Sequence, residues 1–390
     1  MIPAAPELQR RPPPAVPFTV LTGFLGAGKT TLLNRLLSDP VLADTLVLIN
    51  EFGEIGLDHL LVERVDGDTI LMASGCVCCT IRGDLVDTLE DVLRRLDHGR
   101  MKPFQRVIVE TTGLADPAPV LHTVMRHPYL QLRFRIEGVV TLVDAVNGLT
   151  TLDRHPEAVK QAAIADRIVI TKSDLCQTPA AQAQLAQLRT RLHGLNPSAR
   201  ILDNAAGEAG TANLLDTGPY DPEAKTWQVR KWLNVEVFES VRRDATRRSG
   251  EIRPHGDSGG AHDARIHSFV LTSEQPIAPP LLQLFLDMLQ QLHGPALLRM
   301  KGIVSLADDP TRPLVIHGVQ HVLHPPVRLE RWPDDDHSTR IVFIVCGLDP
   351  DHVRGLWGAF SGGIAIDRPD AAALSENPLK PGGGGLFTYS

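Results

Sequence analysis

At 390 residues, 43% hydrophobic and 22% charged, the chain is long enough for two domains and has the composition of a globular protein with a full-sized core. A net charge of −7 argues against broad binding to nucleic acid or to an anionic membrane surface, and no apolar run approaches the length of a membrane span. The first residues, MIPAAPELQRRPPPAVP, lack the apolar core of a signal peptide, and five cysteines with three of them crowded together do not form a disulfide framework; a cytoplasmic location is expected.

In chain order, residues 1–16 read as a flexible arm, and an apolar run at Phe18–Leu21 then enters a glycine-rich turn, Gly23-Phe24-Leu25-Gly26-Ala27-Gly28-Lys29-Thr30-Thr31. Leu32, Leu33, Leu36 and Leu37 follow at the spacing of one helix face. Strand, glycine turn and helix are the context of a phosphate-binding loop. The glycines let backbone amides turn toward phosphate oxygens, Lys29 reaches the β- and γ-phosphates, and the Thr30 hydroxyl suits Mg²⁺. The chain therefore reads as a nucleoside triphosphate binder.

Further strands are expected at Thr45–Asn50, Arg106–Glu110, Gly138–Val143 and Arg167–Thr171, with helices at Leu85–Leu96 and Ala180–Leu192. The alternation predicts an α/β fold of the P-loop NTPase kind, a mostly parallel sheet with helices on both faces, over residues 17–203. Chemistry in such sheets gathers at the carboxyl ends of the strands. Residues 204–265 read as an interdomain segment and mobile loop, with a helix near Trp227–Val241. Residues 266–362 read as a smaller α+β domain, with strands at IHSFVLT, Leu297–Leu306, Pro313–His324, Val327–Trp332 and Arg340–Cys346 and helices at Ile277–Leu292 and Asp349–Phe360. The glycine-rich tail, 363–390, is expected to be disordered.

Three further motifs carry chemistry. Thr171-Lys172-Ser173-Asp174 ends a strand as T-K-x-D, in which the aspartate can accept the paired N–H donors that guanine offers and adenine lacks. This favours GTP, and the bland alternative is a solvated turn. Val107-Ile108-Val109-Glu110-Thr111-Thr112-Gly113 places an acid after a buried strand. Glu110 can hold Mg²⁺ and is also the candidate for positioning the hydrolytic water, while the Gly113 amide can sense the γ-phosphate. Gly75-Cys76-Val77-Cys78-Cys79 brings three sulfurs within four residues, enough to converge on one borderline cation such as Zn²⁺, with Glu51 of Asn50-Glu51-Phe52-Gly53 a candidate fourth ligand. A redox dithiol and plain buried cysteines are the alternatives. His317, His321 and His324 read as structural or surface residues, the first two sharing a strand face.

Together, GFLGAGKTTLLN (23–34), NEFG (50–53), GCVCCTIRGDL (75–85), ETTGLADP (110–117), VDA (143–145) and TKSDL (171–175) resemble the CobW family of P-loop GTPases, relatives of the metallochaperone GTPases that serve nickel enzymes. The resemblance implies a GTP-gated metal chaperone of low intrinsic GTPase activity that handles Zn²⁺ or Co²⁺. It implies that Cys76, Cys78 and Cys79 bind the metal, that Gly26–Thr31 hold phosphates and Mg²⁺, and that Thr171, Lys172 and Asp174 read guanine. The implied partners are a metal-receiving client protein and a further copy of the chain, without nucleic acid or membrane. The histidine-rich interdomain run of many members is reduced here to His255, His262 and His267. A small-molecule kinase or ATPase with structural cysteines, or a regulatory binding module, are the rival readings.

Overall fold

The protein is described by a computed structural model covering residues 14–50, 69–72, 81–215 and 265–361. The first half is a seven-stranded, all-parallel sheet of β1 (Val16–Gly23), β2 (Thr45–Asn50), β3 (Thr69–Met72), β4 (Arg106–Glu110), β5 (Phe134–Asp144), β6 (Arg167–Thr171) and β7 (Arg200–Asp203), in the order β3-β2-β4-β1-β5-β6-β7. β4 and β6 are buried along their whole length, which is why they read as unbroken apolar runs. Residues alternate between faces. Val20, Leu46, Leu48, Val107 and Val109 pack under α2 (Ile81–Asp97) and α3 (Ala118–Arg126), while Leu21, Val47, Ile49 and Ile108 pack under α1 (Lys29–Leu37).

Short helices α4 (Pro128–Arg133), α5 (Gly148–Arg154) and α6 (Pro156–Ile164), then the longer α7 (Pro179–Leu195), complete the layers. Residues 204–215, expected to belong to a linker, instead pack on this unit. There α8 (Thr211–Leu214) buries Leu214 beside Leu36 and Leu37, Arg35 donates to the Ala209 carbonyl at 2.8 Å, and the Thr211 hydroxyl donates to Asp39 at 2.7 Å. The expected helix near Trp227 lies outside the described residues.

The second half is an antiparallel sheet, β11-β10-β9-β13-β8, formed by β8 (Ile266–Ser273), β9 (Leu297–Val304), β10 (Leu314–Val319), β11 (Val322–Leu323) and β13 (Thr339–Cys346), with the short β12 (Val327–Arg328) paired to β10. α9 (Pro279–His293) and α10 (Pro350–Ser361) cover one face, where Phe269, Phe285, Met300, Phe343 and Trp357 form the core. The strand expected over Pro313–His324 is in fact a hairpin that turns at Gln320–His321. Consequently His317 and His324 are cross-strand partners, their rings stacked 4.6 Å apart, and His321 sits in the turn rather than on a continuous strand, where it meets His122 of α3 edge-on at 4.7 Å.

The other face of this sheet is not exposed. Ile266, Leu298 and Ile344 join the core around α6 and α7, and Val319 and Val322 of the hairpin enter the core of the first unit beside Leu121 and Val124. Burying each such side chain stabilises the junction by roughly 1.5–3 kcal/mol. Units joined by shared core side chains of this kind do not behave as swinging hinges.

Candidate functional site

The first unit changes winding direction at β1, whose neighbours are β4 and β5, so the crevice at its carboxyl end is the expected ligand position. The glycine turn sits there. Gly26 and Gly28 hold φ of 73° and 89°, a left-handed backbone that a side chain would strain, and Gly28 starts α1. The turn is tied by an Ala27 amide to Phe24 carbonyl bond of 3.1 Å, and Gly26 and Thr31 are exposed at its mouth. The Lys29 ammonium lies over the turn, donating to the carbonyls of Gly23 at 3.0 Å and Phe24 at 3.4 Å. On the α5–α6 side, a cavity of about 240 Å³ borders Phe24–Ala27, so the turn has room to adjust.

Beside the cradle, the Thr30 hydroxyl donates to the buried Glu110 carboxylate at 3.0 Å. A hydroxyl and a carboxylate side by side at the foot of a phosphate cradle are the hard oxygen donors that Mg²⁺ takes, so the donor set fits that ion. Continuing from Glu110, Thr111 is pinned to β1 by its amide on the Leu21 carbonyl and its hydroxyl on Thr22. Gly113 then passes so close to the turn that a Cβ would stand 2.7 Å from the Leu25 nitrogen. Only glycine allows that approach.

The T-K-x-D turn closes the other side. The buried Thr171 hydroxyl donates to the Ala27 carbonyl at 2.8 Å, so it ties this turn to the cradle. Lys172, at φ 58°, donates to the Gly26 carbonyl at 2.8 Å and to Asp144 at 2.7 Å. Asp174 is exposed, with its carboxylate open to a ligand. Asp144 both caps the turn after β5 through the amides of Val146 and Asn147 and orients Lys172. Burial opposes its charge, but Lys172 and those donors outweigh it, and the Asp144 carboxyl lies below its ordinary value.

Two functional positions escape the sequence reading. Gln161, 1% exposed on α6, donates to the carbonyls of Gly113 at 3.2 Å and Ala115 at 2.9 Å, fixing the segment after the acid. Its only sequence signal is a lone amide, beside Lys160, in the alanine-rich stretch of α6, AVKQAAI. Asp203, at the end of β7, receives the Ser173 hydroxyl and pairs with Arg189 at 2.6 Å, so it braces the T-K-x-D turn from below.

Glu51, Cys76, Cys78 and Cys79, the expected metal ligands, lie outside the described residues. β2 and β3 both deliver the chain to the cradle's edge of the sheet, at Asn50 and Met72, and α2 takes it up again at Ile81. Among the described residues no group of three or more His, Cys, Asp or Glu is placed to hold a metal ion, and no helix is long and apolar enough to cross a membrane.

Known proteins agree with this architecture. Residues 17–203 match the family described as the CobW/HypB/UreG nucleotide-binding domain, and residues 266–361 match the cobalamin synthesis protein cobW C-terminal domain. The zinc chaperone YjiA of Escherichia coli K12 is 30% identical over 344 residues, covering 88% of this chain and 97% of that protein. The zinc chaperone CobW of Pseudomonas aeruginosa is 26% identical, covering 86% and 88%. A zinc-bound triple mutant of the YjiA GTPase superimposes with a TM-score of 0.65 at 26% identity, over 89% of this chain and 99% of that one. The chain belongs to the CobW/HypB/UreG family of nucleotide-binding proteins, in the branch that carries a CobW C-terminal domain.

Proposed function

We propose that this protein is a GTP-dependent metal chaperone that binds Zn²⁺ through Cys76, Cys78 and Cys79, with Glu51 as a further ligand, and releases the ion to a client protein when GTP is hydrolysed. The observation that carries the nucleotide half is the joining of the base-reading turn to the phosphate cradle by Thr171 on Ala27 and Lys172 on Gly26. Asp174 stands open beside that junction for the guanine edge. The metal half is supported by the three-thiol motif, whose sulfurs suit Zn²⁺ and Co²⁺ alike, and by relatives named zinc chaperones.

In this reading Lys29 turns from the Gly23 and Phe24 carbonyls to the β- and γ-phosphates, and the amides of Gly26–Thr31 hold the phosphate oxygens. Mg²⁺, when bound, neutralises charge developing on the transferred phosphoryl group. Thr30 and Glu110 hold that ion, a role the contact between them fits better than that of a base. Gly113 donates its amide toward the γ-phosphate, and loss of that contact on hydrolysis to GDP and phosphate relaxes the neighbouring segments. Each thiolate is formed by losing a proton, so metal affinity falls as pH is lowered.

Competition for Zn²⁺ against a chelating dye, with GDP and then with a non-hydrolysable GTP analogue, tests the coupling. The expected result is a Zn²⁺ affinity at least about tenfold tighter with the triphosphate, and by linkage a reciprocal tightening of the nucleotide. Cys78→Ser weakens Zn²⁺ binding while leaving GDP affinity nearly intact. An ion affinity indifferent to the nucleotide refutes the chaperone.

A further inference from the structure

The hairpin between β10 and β11 belongs to the second unit by chain order, yet its side chains complete the first. Val319 and Val322 are core residues beneath α3, and the Val319 carbonyl meets the His122 ring nitrogen at 3.0 Å. At the tip, Gln320 donates its amide to the Asp116 carboxylate at 3.2 Å. Asp116 in turn accepts the Ala118 amide at 2.9 Å, which fixes the entry into α3. Asp116 is three residues beyond Gly113, the glycine packed against Leu25 of the phosphate cradle.

Two things make this contact more than incidental packing. Gln320 holds φ 51°, a left-handed backbone that costs a residue other than glycine about 1 kcal/mol or more, and Lys172 of the T-K-x-D turn is the other such residue among those described. The tip is also held from behind, since Gln290 of α9 donates to the His321 carbonyl at 3.2 Å. The segment from Gly113 to Asp116 is therefore gripped at two points, by Gln161 on its carbonyls and by Gln320 at its far end.

We infer that the hairpin tip of the second unit is a clamp on the γ-phosphate-sensing segment, and that Gln320 is a positioning residue for GTP hydrolysis, acting through Asp116. The inference rests on the GTPase reading above and deepens it. The second unit sets how readily Gly113 reaches its hydrolytic position, and anything that moves the hairpin changes turnover rather than capture of GDP. Gln320 acts on the nucleotide only through the segment that meets the γ-phosphate, a group GDP lacks, so GDP affinity is the binding it leaves unchanged.

Gln320→Gly is the decisive variant, because glycine removes the side chain and relieves the left-handed backbone, so folding is not impaired. In the full-length protein, kcat for GTP falls roughly threefold to tenfold, the size expected when one ordinary side-chain hydrogen bond is lost, with affinity for GDP unchanged. Gln320→Lys, which restores a donor, recovers most of the rate. Independently of turnover, amide exchange in the first turn of α3 is faster in nucleotide-free Gln320→Gly than in the wild type. A wild-type kcat together with wild-type exchange in the glycine variant overturns the clamp, as does a change in GDP affinity as large as that in kcat. Wild-type protein that binds no guanine nucleotide refutes the GTPase reading instead, and the exchange measurement then still decides whether the clamp exists.

Discussion

At the amino end of β6, the carboxylate of Asp166 is buried between Arg299 and Lys301 of the second unit, and Arg299 also reaches the Ile164 carbonyl at the end of α6. At the carboxyl end of the same strand, Thr171 and Lys172 are tied to the phosphate cradle while Asp174 stands open. Both clusters are charged, but only one keeps a group facing solvent. In the buried one, Asp166, Arg299 and Lys301 are each almost fully enclosed, and Asp166 keeps its charge because it is paired. The Asp166 carboxyl is held well below its ordinary value by Arg299 and Lys301 against the cost of burial, while burial beside Arg299 brings the Lys301 ammonium down to about 7. Geometry separates a joint from a site here: the joint pairs its charges inside the fold, and the site keeps a carboxylate facing solvent.

The comparison is broken most severely by Arg299→Met. Removing one member of the buried cluster lowers folding stability by about 3–5 kcal/mol, read as a fall in the urea midpoint, while GDP affinity of the folded protein stays the same. Next, Lys29→Ala reduces GTP affinity roughly a hundredfold without changing the melting temperature, as nucleotide titration and calorimetry will show. An equal loss of stability and affinity in either variant would mean that the two clusters are one system.

Acid sharpens the distinction further. His324 is pushed down to about 3 by burial, and His317 lies well below its ordinary value for the same reason, with Arg299 adding to both and Asp166 opposing; Lys301 also bears on His317 and His122 on His324. In the unfolded chain each takes up a proton near pH 6.5, so below that pH the unfolded state binds more protons and the fold loses stability as pH falls. From pH 6.5 to 5 the loss is about 2 kcal/mol for His324 alone, and His324→Asn should flatten the profile. The smallest effect is expected of Thr171→Val, which removes the hydroxyl tie to Ala27 and weakens GTP binding about threefold to tenfold with little change in stability.

Much of the first unit was legible because its physics is local. β2, β4 and β6 lie where unbroken apolar runs predict them, and the cradle follows from glycines whose backbone angles only they adopt freely. The short helices α4 and α6 each carry an N-terminal signal in His127-Pro128 and His155-Pro156, since proline is favoured in the first helical turn. β3 and β7, four residues each, are too short to show a period. The hairpin was hidden because its turn is made by Gln320, a residue without turn propensity, rather than by Asn-Gly. Asp166 and Arg299 meet across 133 positions, and Gln161 grips Gly113 across 48; no spacing rule spans such separations. The sulfur motif was equally plain in sequence, as a pattern of residue types.

The hairpin has one more consequence, for synthesis. Residues 14–215 leave the ribosome well before Val319 and Val322, yet the hydrophobic interior under α3 is finished only by those two side chains. Until more than a hundred further residues have been made, the nascent first half carries an open socket. Expressed by itself, it is the piece most exposed to clumping or to capture by general folding helpers.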